Sequence, residues 1–110
     1  MIEKPADTEQ KIEKALAERW SGRAYDPNLA VTNEQIIAMC EAARWAPSCF
    51  GDQPWRYIVW NRHEDEVSWQ KAYDCLVPGN QAWAKNSPVL IVAASVPTFS
   101  HNDTPNRWNG

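Results

Sequence analysis

Apolar residues recur at helical spacing in several stretches of this chain, and in two others they form short β-branched and aromatic runs. Over residues 8–20, Ile12, Ala15, Leu16 and Trp20 fall on one side of a helical projection, and Asp7 with Gln10 has capping-box spacing, so an amphipathic helix is predicted there. Tyr25-Asp26-Pro27-Asn28 reads as a turn. Thr32 with Gln35 forms a second capping box, opening a helix from about Asn33 to Trp45 whose inner face is Ile36, Ile37, Met39, Cys40 and Ala43. Pro47 ends it, and Pro54 to Trp60 follows as a strand. Residues 64–76 return to helical period with Trp69, Ala72, Tyr73 and Leu76 on one side. Val77-Pro78-Gly79-Asn80 breaks that pattern, and Gln81 to Lys85 makes a further short turn. Pro88 to Ser95 is an almost continuous apolar strand of the kind covered on both faces. The order αα-β-αα-β offers only two convincing strands. A doubly covered strand needs neighbours, so the pattern predicts that the sheet is completed by another chain or by further sequence.

Composition narrows the class. At 110 residues the chain has the length of one domain with a real core. A net charge of −3 argues against nucleic-acid binding, which draws on an excess of clustered Lys and Arg. Seven tryptophans, at 20, 45, 55, 60, 69, 83 and 108, are spread along the chain and read as core or interface residues. Cys40, Cys49 and Cys75 are odd in number and lack CxxC spacing, which fits a reducing compartment better than a disulfide framework or zinc site. The N-terminus has no basic-then-apolar leader pattern, and the longest apolar run, Val89 to Ala94, is too short to span a bilayer. A cytoplasmic location is expected.

Two segments carry candidate chemistry. Arg19, Ser21 and Arg23 place two permanent cations around a hydroxyl, a set suited to phosphate; the alternative is that both arginines are last-turn cations favoured by a helix dipole. The loop Ser48-Cys49-Phe50-Gly51-Asp52-Gln53 joins a helix to a strand and can offer hydroxyl, backbone and amide groups to a planar ligand, or serve as a connector with an Asx turn at Asp52. Asn80 can hydrogen-bond a heterocycle or complete a turn. Cys49 lacks a base tied to it by sequence context, the histidines being His63 and His101, so an inert thiol is the better reading. His63-Glu64-Asp65-Glu66 reads as solvated acids at a helix start rather than a metal site.

Taken in order and spacing, these segments resemble the N-terminal half of the FMN-dependent nitroreductase family. The likeness runs from Glu18 to about Ala94. It rests on Arg19-Trp20-Ser21-Gly22-Arg23-Ala24-Tyr25-Asp26, on Glu41-Ala42-Ala43-Arg44-Trp45-Ala46-Pro47-Ser48 continuing into Gln53-Pro54-Trp55-Arg56-Tyr57, on Asn80-Gln81-Ala82-Trp83-Ala84 and on Pro88-Val89-Leu90-Ile91-Val92. The resemblance implies an α+β fold with helices packed around a central mixed sheet, of which residues 1–96 form the N-terminal portion and 97–110 a polar connecting tail. It also implies that Arg19, Ser21 and Arg23 bind the FMN phosphate, ribityl chain and pyrimidine edge. Pro47 and Ser48 lie against a flavin held mainly by the partner subunit, with Gly51 and Gln53 close by, and Asn80 bonds the flavin ring. The family usually has an asparagine where this chain has Gly51, and Asp52 beside it brings an acid that would disfavour the anionic reduced flavin. Further implications are an obligate homodimer, or a partner chain supplying the other half, and ping-pong transfer from NADH or NADPH through FMN to a nitroaromatic, quinone or related acceptor, with no catalytic acid, base or nucleophile from the protein.

Overall fold

The computed structural model describes residues 3–106. The end of the predicted tail, including Trp108 and Asn109-Gly110, lies outside the described residues. The elements are α1 (Lys14–Ala17), α2 (Asn33–Arg44), a 3-10 turn (Cys49–Gly51), β1 (Trp55–Asn61), α3 (Glu66–Asp74), α4 (Pro78–Ala84) and β2 (Val89–Ser95).

Elements with a strong local signal form as predicted. The Thr32 box is complete: the Gln35 N–H donates to Thr32 Oγ1 at 3.3 Å and the Thr32 N–H to Gln35 Oε1 at 2.9 Å. Asp65 caps α3 by accepting from the Ser68 N–H at 3.0 Å, and Glu66 pairs with Arg62 at 3.0 Å, so the acidic run serves a helix start. Among the described residues no group of three His, Cys, Asp or Glu side chains is placed to hold a metal ion. Asp26 makes its turn by accepting from the Asn28 N–H at 2.9 Å. Pro78 sits in the first turn of α4, where its missing N–H costs nothing. Asn80 therefore lies inside a helix rather than in the predicted break.

Three expectations fail where packing decides. The predicted 8–20 helix is reduced to the single turn of α1. Thr8 Oγ1 accepts from the Gln10 N–H at 3.1 Å in place of a box at Asp7, and Ile12 and Leu16 remain exposed. A short helix whose apolar face meets no partner does not repay its nucleation cost. On α2 only Ile36 is buried, with Cys40 and Ala43 half-buried; Ile37 and Met39 face outward. Residues 36, 40 and 43 follow one helical stripe, whereas 37 and 39 lie to either side of it. The strand predicted to be covered on both faces is open, with Ile91 to Ser95 exposed.

That openness follows from the sheet. Among the described residues it has two strands, β1 and β2, paired antiparallel from Trp55↔Ser95 to Asn61↔Val89. Helix α3 packs against both strands and α4 against α3. Trp69 of α3, 1% exposed, is the centre of the core: its ring stacks on Tyr73 at 5.2 Å, with the Arg62 guanidinium 4.6 Å from its centroid. Asn61, also buried, ties the start of α2 to the end of β1 by donating to the Val31 carbonyl at 2.9 Å. The radius of gyration is 17.0 Å, against about 13 Å for a compact chain of this length. The accessible surface is 9028 Å², where a compact monomer of this mass exposes about 6,200 Å². No described helix is long and apolar enough to cross a membrane.

Candidate functional site

Residues 19–23 lie beyond α1 in irregular, exposed backbone. The last-turn explanation for the two arginines therefore falls away, because a four-residue helix ending at Ala17 has little dipole to complement. Among the described residues Arg19 and Arg23 make no ion pair and Ser21 no side-chain hydrogen bond. Trp20 shapes the segment: Lys4 Nζ lies 5.0 Å from its ring, and a Cβ on Gly22 would meet the same ring at 3.7 Å. Tyr25 then contacts Trp83 of α4, with ring centroids 6.2 Å apart. Asn80 precedes Trp83 by three residues, so the two share a face of α4.

The second part is the loop after α2. Gly51, Phe50 and Gln53 all have left-handed backbone, with φ of 67°, 55° and 44°. Glycine takes that conformation freely, whereas Phe50 and Gln53 are strained and must be held. Inside the loop Ser48 Oγ accepts from the Gln53 N–H at 2.8 Å, which leaves the Ser48 hydroxyl proton free to donate. The Gln53 carbonyl accepts from Arg56 Nη1 at 3.1 Å, while its side-chain amide has no partner among the described residues. Pro54 is buried and immediately precedes β1. Pro47 is exposed, and Cys49 carries an exposed free thiol.

The Asx turn at Asp52 does not form. Its carboxylate instead crosses 48 positions of sequence, accepting from the Ser100 N–H at 2.8 Å and from the Ser100 hydroxyl. Those two donors, the hydroxyl first, hold the Asp52 carboxyl below the usual carboxylate range. Phe50 packs against Phe99 and His101, at 5.6 and 4.9 Å between centroids. His101 thus belongs to the loop's surroundings, a link that sequence reasoning missed because nothing local joins the two segments. Residues 97–106 of the predicted polar tail form a hairpin: Thr98 bridges Pro105, and the Asn106 N–H donates to the Pro97 carbonyl at 2.8 Å.

The structure places Pro47, Ser48, Gly51 and Gln53 in and beside one loop, Asn80 on α4, and Arg19, Ser21 and Arg23 in the irregular segment that leads to Tyr25. Among the described residues no hydrogen bond, ion pair or ring contact joins the loop to the other two. Together they offer two unpaired guanidinium groups, two hydroxyls and two uncommitted amides. That donor set fits a ligand with a phosphate at one end and a polar heterocycle at the other.

Comparison with known proteins bears on the chain as a whole. The sequence model of the nitroreductase family matches residues 16–109. The chain is 28% identical over 91 residues to the major NAD(P)H-flavin oxidoreductase of Aliivibrio fischeri, covering 80% of this chain and 40% of that protein. It is 28% identical over 94 residues to Protein DrgA of Synechocystis sp., covering 86% of this chain and 42% of that one. A crystal structure of an oxidoreductase containing FMN superposes with a TM-score of 0.81 at 34% identity, over 92% of this chain and 51% of the other. The chain thus spans about half, or less, of the length of these relatives.

Proposed function

This chain belongs to the nitroreductase family, and from that premise we propose that it forms the N-terminal, FMN-binding portion of an NAD(P)H-dependent flavin oxidoreductase. The observation that carries the reading is the unpaired donor set at Arg19, Ser21 and Arg23, within a chain 34% identical to an FMN-containing oxidoreductase. Arg19 and Arg23 supply fixed positive charge for the phosphate, and Ser21 a hydroxyl beside it. Asn80 and Gln53 present amides that pair with the edge of a heterocycle. Pro47, Ser48 and Gly51 form a surface on which a planar ring can rest, Gly51 having open space where a Cβ would stand. The chemistry supplied when FMN is bound is hydride and electron transfer, in two half-reactions, from NADH or NADPH to a nitroaromatic, quinone or related acceptor. The chain's own groups bind and orient; none need act as acid, base or nucleophile.

The separation of the loop from the other donors supports a site completed by a homodimer or a partner chain. Residues 1–96 form the family portion in this reading and 97–110 a polar connecting tail, of which Phe99, Ser100 and His101 meet the loop. The test is a visible absorption spectrum of the purified protein before and after incubation with FMN and desalting. Retained flavin bands that bleach anaerobically on addition of NADH or NADPH are expected; retained bands that stay yellow overturn the oxidoreductase activity, and no retained flavin overturns the cofactor assignment for the chain alone. A second reading, a non-catalytic dimerisation and flavin-binding module that works only with a partner chain, is favoured by one observation: the accessible surface of 9028 Å² leaves much apolar area uncovered. Anaerobic bleaching of bound flavin separates the two readings, and light scattering tests what they share, since a compact flavin-free monomer contradicts both.

A further inference from the structure

The Ser48–Gln53 loop is strained at Phe50 and Gln53, and its internal bonds all return to its own first two residues: Gln53 N–H to Ser48 Oγ, Gly51 N–H to the Ser48 carbonyl at 3.0 Å, and Asp52 N–H to the Cys49 carbonyl at 3.2 Å. What fixes it against the rest of the chain includes the 97–106 hairpin, through the rings of Phe99 and His101 and through Ser100. Both carboxylate oxygens of Asp52 are engaged there, Oδ2 by the Ser100 N–H and Oδ1 by the Ser100 hydroxyl. Asp52 lies between Gly51 and Gln53, two of the residues assigned above to the flavin surface.

We infer that Asp52 is a positioning residue for the flavin site, acting through Ser100 to hold Gly51 and Gln53 in their left-handed conformations. The inference rests on the FMN reading above. The charged oxygens face the hairpin, so the acid serves as an anchor for the loop and its role is geometric. Without the anchor the loop spends most of its time in unstrained conformations, and apparent affinity falls by the fraction of time in which the competent one is lost.

The test combines FMN titrations, followed by flavin fluorescence, with amide hydrogen exchange at Gly51–Gln53 of the flavin-free protein. Asp52→Ala is expected to weaken FMN binding about tenfold by lowering the competent fraction, and to speed exchange at Gln53 more than at the paired amides of β1. Ser100→Ala, which keeps the N–H contact, is expected to do the same to a smaller extent, and the double variant to match Asp52→Ala alone. Asp52→Asn, whose amide can accept from the Ser100 N–H and donate to its hydroxyl, is expected to restore binding to within about twofold of wild type. Wild-type protein that binds FMN while Asp52→Ala binds as tightly overturns the positioning role and leaves the flavin reading standing. Wild-type protein that takes up no FMN overturns the flavin reading, and this inference with it.

Discussion

Replacing Trp69 with alanine tests whether this open fold rests on the small core seen between α3 and the strands. Burying a tryptophan removes about 150–250 Å² from water, which at about 25 cal/mol per Å² corresponds to about 4–6 kcal/mol. The Tyr73 stack and the Arg62 guanidinium add to this, by about 1 kcal/mol in all. Against it stands the indole N–H, buried without a partner, which costs about 1–3 kcal/mol. Area bookkeeping also overstates burial relative to a realistic unfolded chain. The net expectation is a loss of about 3–5 kcal/mol, in keeping with other buried aromatic truncations. Much of the total stability of a domain this size would go, and the melting temperature would fall by about 15 °C or more. The assay is urea and thermal unfolding followed by far-ultraviolet circular dichroism, with two controls. Trp45, 75% exposed, with its indole N–H on its helical neighbour Glu41 and the Arg44 guanidinium 5.7 Å from its ring, should cost less than about 1 kcal/mol as alanine. Trp69→Phe keeps a stacked ring and removes the unpartnered N–H, so it should cost less than about 1.5 kcal/mol. Equal losses at Trp69 and Trp45, or a phenylalanine variant as unstable as the alanine one, would refute the reasoning.

Other outcomes follow from named contacts. Arg19→Ala and Arg23→Ala should each weaken FMN binding by about tenfold or more with unchanged melting temperature, since neither residue has a partner among the described residues; isothermal titration and a thermal melt check this together. Thr32→Ala should cost about 1 kcal/mol in urea unfolding through loss of the capping box. The Asp65 carboxyl is held below its ordinary range by the Ser68 hydroxyl and N–H, as Asp52 is by Ser100. A depressed folded-state value stabilises above the unfolded carboxylate range, about pH 4, and that contribution is lost as pH falls through the folded values. Acid titration of stability should therefore show a loss below that range which is smaller in Asp65→Ala.

The sequence carried the elements whose bonds close within a few residues. The Thr32–Gln35 box, the Asp65 cap and the Asp26 turn all join residues three or fewer apart, so the residues that make them also announce them. The apolar runs of β1 and β2 were legible for the same reason, and so were the separate motifs of the candidate site. Residues 8–20 show the limit: correct helical periodicity yielded one turn of helix, because amphipathic pattern stabilises only when a second surface meets it.

What the sequence by itself determined is thus the family, the two strands and the chemical identity of the donors, each set by local pattern or residue type. Only the tertiary structure decided that Tyr25 meets Trp83 of α4, that β2 stands open on a sheet of two strands among the described residues, and that Asp52 reaches Ser100 while Phe50 meets His101. Contacts spanning some fifty positions of chain depend on chain closure and on which surfaces remain uncovered. Those are properties of the assembled layers, and no short window of residues encodes them.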